Sequence, residues 1–235
     1  MSKRQPGSQL PVDIGAVAID LDGTLLDTLP DIAEAADRML MEMGRPPAGP
    51  EIVRGYIGEG IARLAKRLLT GLPNGEPEPA SLEVALEAFE RHYRDTFTRC
   101  SRPFPEVIPG LERMRAARLR LACVTNKTAS FTLPLLEATG LSGYFELVVS
   151  GDSLPKKKPD PLPLLHVARQ FALAPARLLM VGDSPVDTES ARAAGCPVFC
   201  VPYGYRGTVA VQELDCDAIV PTLSDLLDLI RLVRS

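Results

Sequence analysis

The sequence predicts an α/β fold in which a mostly parallel sheet carries an inserted all-helical domain. Short apolar runs alternate with segments of helical periodicity, the pattern of a parallel sheet covered by helices. One long segment carries helical patterns alone. Carboxylates and hydroxyls directly follow several apolar runs, where parallel sheets bind their ligands.

Six short apolar runs are the expected strands, and the segments between them are expected to be helices that cover the sheet. Their lengths and flanking breaker residues fit a Rossmann-like core. The expected strands are Ala16–Leu21, Leu121–Val124, Leu147–Val149, Leu178–Val181, Val198–Val201 and Ala218–Val220. The expected helices of the core are Gly110–Arg118, Ala129–Ala138, Pro161–Phe171, Pro185–Ala194 and Leu223–Val233.

Residues 29–98 break this rhythm. The stretch "IARLAKRLL" spaces its apolar residues at offsets of three and four, and "LEVALEAFERHYRDTF" does the same. A loop, "TGLPNGEPEP", separates the two. We therefore expect a flexible tail at 1–12, a core at 13–28 and 99–235, and a helical cap at 29–98; the alternative is that these helices simply cover the core sheet.

Composition restricts the class of protein. The chain has 235 residues, 46% of them hydrophobic, and a net charge of −4, which argues against nucleic acid as a partner. No apolar stretch reaches the length of a bilayer span, and the N-terminus lacks the apolar region of a secretory signal. Five cysteines without metal-finger spacing fit a reducing, cytoplasmic setting. The oligomeric state is left open.

Polar residues collect after three of the expected strands. "DLDGT" ends the first, "TN" follows "LACV", and "GDSPVD" follows "LLMV". Since the carboxyl ends of parallel strands share one edge, these residues are expected to form a single site. Clustered carboxylates suit a hard cation, and Mg²⁺ is the usual one where substrate phosphate completes the shell.

Four segments carry a resemblance to a known family. "DLDGTLLDT", "VTN", "KKKPDP" and "VGDSPVD" occur in this order, and they resemble the signature segments of the haloacid dehalogenase superfamily. Within it, "YIGEGIARLAKRLL", "GDSLPKKKPDPLPLL" and "YGYRG" are most similar to the phosphoglycolate phosphatases of bacteria. The ending "PYGYRG" departs from the "GYNHG" type associated with many of them.

The resemblance implies roles for the carboxylates. Asp20 matches the nucleophile that becomes an aspartyl phosphate, and Asp22 matches the general acid and base. Asp183 matches a Mg²⁺ ligand, acting with the Asp20 carboxylate and the backbone carbonyl of Asp22.

Other positions match phosphate-binding and supporting residues. Thr125 and Lys158 match the phosphate-binding hydroxyl and ammonium, with Asn126 beside them. Asp187, Ser184 and Thr24 are expected to support the site; Ser184 could equally cap the helix at Pro185, and Asp187 could serve the helix dipole alone. Asp27 and Thr28 are expected to start the next helix, and Lys156 and Lys157 to form a solvated charge run.

The implied activity is hydrolysis of a small phosphorylated metabolite, with 2-phosphoglycolate first among candidates. In the cap, Gly60 at a helix N-terminus and Arg63 beyond it could bind the substrate carboxylate, although Arg63 could also be surface charge. A sugar-phosphate phosphatase, a β-phosphoglucomutase-like phosphotransferase and a non-catalytic module that binds phosphate and Mg²⁺ are alternatives. The Cys-x5-Arg spacing from Cys200 to Arg206 is a weak signal for a cysteine phosphatase.

Overall fold

A six-stranded parallel sheet forms the centre of the computed structural model, which describes residues 10–233. The strands are β1 (Val12–Ile14), β2 (Ala16–Ile19), β3 (Leu26–Asp27), β4 (Arg102–Pro103), β5 (Arg120–Val124), β6 (Leu147–Val149), β7 (Leu178–Gly182), β8 (Val198–Cys200), β9 (Ala218–Ile219) and β10 (Ile230–Leu232). The sheet order is β6-β5-β2-β7-β8-β9, so the predicted α/β fold class is confirmed.

Strand β2 lies where the strand order reverses. It pairs in parallel with β5 on one side and with β7 on the other. The chain moves outward from β5 to β6, and from β7 to β8 and β9. The carboxyl ends of β2, β5 and β7 are therefore neighbours, at the place where open α/β sheets bind ligands.

Helices cover both faces of the sheet, because alternate residues of a strand point to opposite faces. Val17 and Ile19 of β2 pack in one buried cluster, and Ala16 and Ala18 pack in another. The α-helices are α1 (Leu29–Glu42), α2 (Pro50–Arg54), α3 (Ile61–Thr70), α4 (Pro79–Thr96), α5 (Val107–Ala116), α6 (Ala129–Ala138), α7 (Leu162–Gln170) and α8 (Pro185–Ala194). Helices α5 and α6 pack on the first cluster, and α7 and α8 on the second.

Helices α1–α4 lie between β3 and β4, the short antiparallel pair that leads out of the sheet and back. They pack around a buried cluster centred on residues such as Met39, Leu64 and Phe89, which Phe131 of α6 and Tyr205 also join. Asp31, near the start of α1, links that helix to the segment just before β4. Its buried carboxylate accepts hydrogen bonds from the backbone of Cys100 and Ser101 and from the Ser101 hydroxyl, at 2.6 to 3.1 Å.

The two chain ends differ from the sequence prediction. Instead of one helix over Leu223–Val233, a short 3₁₀ helix at Leu223–Leu229 is followed by β10, which pairs in parallel with β1. Buried Leu223, Leu226 and Ile230 keep a helix-like spacing, but pairing with a strand more than 200 positions away overrides it. Val12, expected in the tail, belongs to β1; residues 1–9 of the expected tail lie outside the described residues.

The remaining element bounds agree with the sequence to within a few residues. Helices α6 and α8 begin and end as expected, whereas α5 begins at Val107 rather than Gly110. None of the helices within residues 10–233 combines the length and apolar character that crossing a bilayer requires.

Candidate active site

The loop after β2 brings Asp20 and Asp22 to the switch point. Asp20 continues the strand, since its N–H donates to the Val181 carbonyl of β7 over 2.9 Å. Gly23 then turns the chain with a φ of 91°, and a Cβ on it would lie 2.5 Å from a carboxylate oxygen of Asp183. Glycine thus allows the loops after β2 and β7 to touch.

A buried ammonium joins two carboxylates of the site. Lys158 Nζ donates to Asp20 Oδ1 and to Asp187 Oδ1, each over 2.7 Å. The second oxygen of Asp187 accepts from the backbone N–H groups of Asp183 and Ser184 and from the Ser184 hydroxyl, at 2.8 to 3.2 Å. Asp187 therefore contacts the same ammonium as Asp20 and also completes the capping box of α8 with Ser184.

The carboxylate of Asp183 is fixed from two sides. The buried Thr24 hydroxyl donates to its Oδ1 over 3.4 Å, and the backbone N–H of Tyr205 donates to its Oδ2. A Cβ on Gly204 would overlap this carboxylate, so the "YGYRG" segment can approach it only with glycine at that position. The segment whose sequence departs from the family pattern thus contacts the site through backbone.

Three carboxylates at this point could share a cation. One oxygen each of Asp20, Asp183 and Asp187 lies within 4.8 Å of the others. Burial raises the pKa of Asp20 to about 7 even though Lys158 lowers it, and burial beside Asp187 and Asp20 holds the pKa of Asp183 well above its usual range. One ammonium does not neutralise three buried carboxylates, and a set of hard oxygen ligands fits a divalent cation such as Mg²⁺.

Asp22 has two side-chain partners of its own, neither of which belongs to this cluster. The Thr28 hydroxyl donates to its Oδ1 over 2.7 Å, and Lys127 Nζ lies 3.1 Å from its Oδ2. Lys127 also donates to the Tyr93 hydroxyl of α4 over 2.9 Å. Thr28 occupies the N-cap position of α1, as expected, but its side chain bonds Asp22 and not the helix; the Asp27 carboxylate accepts from the Leu29 N–H over 3.4 Å.

Sequence reasoning missed Lys127. Its position two residues after Thr125, in the loop that follows β5, was a signal that could have found it. Its side chain is 5% exposed, and the nearby Asp22 and Tyr93 raise its pKa above the ordinary value although burial alone would lower it.

Thr125 and Asn126 connect the loops of the site. Thr125 is buried, and its hydroxyl accepts from the N–H of Lys127 over 3.2 Å. The Asn126 side-chain amide donates to the carbonyls of Lys158 and Gly58, at 2.9 and 3.1 Å, and so ties the core to the segment between α2 and α3. Its buried Oδ1 has no hydrogen-bond partner among the described residues.

A cavity of about 40 Å³ lies between the core loops and helices α1, α3 and α4. Its polar floor carries both aspartates of the β2 loop, and its walls are mainly apolar. The lining residues are Asp20, Asp22, Ile32, Ile57, Gly58, Gly60, Ile61, Leu64, Phe89, Tyr93, Thr125, Asn126 and Lys127.

Of the two cap residues expected to bind the substrate, only one lines the cavity. Gly60 lines the cavity and precedes α3 with a φ of 89°. Arg63 does not line it: its guanidinium donates to Asn74 Oδ1 over 2.8 Å and pairs with Glu59 and Glu76. Helical rotation turns Arg63 away from the face that presents Leu64 to the cavity.

The lysine run and the cysteine motif have other environments. Lys156 is exposed and pairs with Asp160 over 2.9 Å, as a solvated charge would. Lys157 is not simply solvated, since it donates to the Glu59 carbonyl over 2.7 Å. Cys200 is fully buried, and its hydrogen bond with Cys216, together with burial, raises its pKa, which argues against a cysteine nucleophile. Arg206 donates to the Pro202 carbonyl.

Known proteins are similar in sequence to this chain over most of its length. The family model described as haloacid dehalogenase-like hydrolase matches residues 17–201. A phosphoglycolate phosphatase of Thiobacillus denitrificans is 55% identical over 215 residues, which make up 92% of this chain and 95% of that protein. A phosphoglycolate phosphatase of Escherichia coli is 38% identical and covers 95% of each chain. The resemblance indicated by the four motifs is confirmed.

Solved structures have the same fold. A predicted phosphoglycolate phosphatase from Haemophilus somnus superposes with a TM-score of 0.86 at 32% identity, over 92% of this chain and 97% of that one. A candidate β-phosphoglucomutase from Thermotoga maritima reaches a TM-score of 0.70 at 26% identity, over 92% and 97% of the two chains.

Proposed function

The chain belongs to the haloacid dehalogenase-like hydrolase family, and from this premise we propose that it hydrolyses a small phosphomonoester through an aspartyl phosphate at Asp20. One observation carries the proposal: Asp20 contacts a buried ammonium, has one oxygen within 4.8 Å of two further carboxylates, and lines the same cavity as Asp22. A nucleophile, a candidate acid and a cation-binding cluster thus meet at one switch point.

We propose Mg²⁺ as the cofactor. Asp20 and Asp183 would hold the ion through their carboxylates, with the backbone carbonyl of Asp22, while Asp187 supports the cluster through Lys158. When bound, the ion neutralises charge between the carboxylates and the incoming phosphate. The net negative charge of the described cluster and its all-oxygen donors support this assignment.

Each residue then has a role in two displacements at phosphorus. An Asp20 carboxylate oxygen forms a bond to phosphorus as the bond from phosphorus to the leaving oxygen breaks, and Asp22 gives its proton to that oxygen. In the second step Asp22 takes a proton from a water whose oxygen attacks phosphorus, and the bond to Asp20 breaks.

Other groups of the chain would hold the phosphate during both steps. Lys158 spreads positive charge toward the phosphoryl oxygens, and Thr125, with Asn126 beside it, supplies polar contacts. Thr28 and Lys127 keep the Asp22 carboxylate directed into the cavity.

We propose 2-phosphoglycolate as the substrate. Two relatives named phosphoglycolate phosphatase are each 55% identical to this chain. A cavity of about 40 Å³ supports a small leaving group, since one water occupies roughly 10–15 Å³ on this measure. A two-carbon acid fits such a space better than a sugar does, which favours this substrate over those of a sugar-phosphate phosphatase or a mutase.

Residues 29–98 are proposed to act as a cap over a core formed by 13–28 and 99–235. Most members of one buried cluster lie in α1–α4, with Phe131 and Tyr205 added from the core, and this supports the division, as does the short β3–β4 pair through which the chain leaves and returns. A cap that closes would exclude bulk water from the first displacement. The five free cysteines support a reducing compartment such as the cytoplasm.

A panel of phosphoesters tests the function. Purified protein is assayed on 2-phosphoglycolate, sugar phosphates and a chromogenic ester, with and without EDTA, beside an Asp20→Asn variant. We expect metal-dependent turnover that is fastest on 2-phosphoglycolate and lost in the variant. Turnover without preference would reject the substrate alone, whereas binding without turnover would favour a non-catalytic module.

A further inference from the structure

Lys127 is a buried cation in the proposed leaving-group cavity. It is the only lysine or arginine among the described residues that line this cavity. Its Nζ lies 3.1 Å from Asp22 Oδ2 and 2.9 Å from the Tyr93 hydroxyl. An ammonium has three N–H donors, and these two partners are the ones it contacts within residues 10–233, so one donor is left for a ligand.

Lys127 lies where the carboxylate of a phosphorylated oxyacid would bind. Asp22 is the group that would protonate the leaving oxygen, so that oxygen binds next to the Asp22 carboxylate. In a phosphorylated α-hydroxy acid the carboxylate carbon is two bonds away from this oxygen. A cation in contact with Asp22 therefore lies where such a carboxylate would bind.

Tyr93 adds a second donor at the same place. Its hydroxyl oxygen accepts from Lys127, which leaves its own proton for an acceptor. Burial raises the pKa of Tyr93 to about 12, so the phenol keeps that proton at neutral pH. The ammonium Nζ lies 4.9 Å from the centroid of the same ring, so the hydrogen bond to the hydroxyl keeps it close to the phenol.

The walls of the cavity strengthen any charge-assisted contact on its floor. Ile32, Ile61, Leu64 and Phe89 contribute apolar surface and exclude water around the ammonium. In such surroundings a hydrogen bond between charged groups is stronger than in water.

We propose that Lys127, assisted by the Tyr93 hydroxyl, binds the carboxylate of the leaving group and thereby selects short phosphorylated oxyacids over uncharged phosphoesters. This inference rests on the proposed function of the site and assigns its specificity-determining residues. Arg63, which the sequence suggested for this role, is paired outside the cavity.

A pair of matched substrates tests the proposal. 2-Phosphoglycolate carries the carboxylate, and ethyl phosphate has a methyl group in its place. The ratio of kcat/KM for the two esters is measured in the wild type, in Lys127→Met and in Tyr93→Phe. We expect the ratio to fall about 10- to 100-fold in Lys127→Met, and by a smaller factor in Tyr93→Phe. A Lys156→Met variant, which removes an exposed lysine, should keep the wild-type ratio.

A ratio is the appropriate readout because Lys127 also contacts Asp22. A loss of acid catalysis would slow both esters together and leave their ratio unchanged. Binding is measured separately with 3-phosphonopropionate and propylphosphonate, two competitive inhibitors that differ only by the carboxylate and undergo no reaction. We expect Lys127→Met to weaken the first about as much as it lowers the substrate ratio, and to leave the second nearly unchanged.

The outcomes separate this inference from the proposed function. An unchanged ratio and unchanged inhibitor preference in Lys127→Met would overturn the carboxylate role while the wild type still prefers 2-phosphoglycolate. A wild type that prefers ethyl phosphate, or uses both esters equally, would overturn the substrate proposal itself, before any variant is compared. Circular dichroism spectra of the variants verify that each has folded.

Discussion

Stability without a divalent cation should fall as the pH rises, because the site buries more negative charge than Lys158 neutralises. Asp20 has a pKa of about 7 in the folded chain, raised chiefly by burial, against about 4 in an unfolded chain. Between these values the folded chain keeps a proton that the unfolded chain releases. This pKa difference of about three corresponds to about 4 kcal/mol of unfolding free energy, which is lost as the pH rises from about 4 to about 7. The raised pKa of Asp183 acts in the same direction.

Saturating Mg²⁺ should oppose this loss, and therefore stabilise the protein more at pH 8 than at pH 5, where it must displace protons. Between pH 5 and the Asp20 pKa of about 7, the metal-free protein loses about 3 kcal/mol of unfolding free energy. The stabilisation by Mg²⁺ should therefore be larger at pH 8 than at pH 5 by about this amount, or by about 6 to 12 °C in melting temperature for a chain of this size. The chain has no tryptophan, so unfolding is followed by far-ultraviolet circular dichroism.

Two controls make this measurement specific. NaCl at matched ionic strength should not reproduce the Mg²⁺ effect, and Asp20→Asn should reduce the pH dependence of the metal-free protein while the part due to Asp183 remains. Equal Mg²⁺ increments at pH 5 and pH 8 would refute the reasoning that charge at this cluster is what the cation relieves.

Three further variants test individual contacts. Lys158→Met should lower kcat about 10³-fold on any small phosphoester, because it removes the cation next to Asp20; wild-type rates would contradict its role in binding phosphate. Cys200→Ser should keep activity within about twofold, since the buried thiol is not a nucleophile, and an inactive but folded variant would revive the cysteine mechanism. Asp31→Ala should lower the free energy of urea unfolding by about 3 kcal/mol, because the buried N–H and O–H donors of Ser101, and the N–H of Cys100, lose their acceptor; a loss below about 0.5 kcal/mol would contradict this.

The strand ends of the site were predictable from sequence because they depend on local patterns. A buried apolar run followed by Asp20, Thr125 or Asp183 indicates the carboxyl end of a parallel strand. In an open α/β sheet the carboxyl ends of the strands lie at one edge, and ligands bind there at the switch point. Tertiary structure therefore had only to bring three predicted loops together, and it does so at β2, β5 and β7.

Contacts between distant elements were not predictable in this way. Lys127 contacts Tyr93 of α4, and nothing in the sequence near either residue indicates that packing. Thr28 has the typical position and residue type of a helix cap, but its hydroxyl donates a hydrogen bond to an Asp22 oxygen and not to the helix. At the C-terminus, helical spacing gave way to pairing between β10 and β1, which depends on residues at the other end of the chain.

The central claim is that the Asp20 carboxylate accepts the phosphoryl group, and trapping that adduct tests it most directly. Enzyme mixed with 2-phosphoglycolate and Mg²⁺ is quenched in acid within its first turnovers, digested and mapped by mass spectrometry. We predict one phosphate on the peptide that contains Asp20, absent from Asp20→Asn, whose turnover should fall about 10⁴-fold or more. An unmodified Asp20 peptide together with wild-type turnover by the folded Asp20→Asn protein would contradict the account.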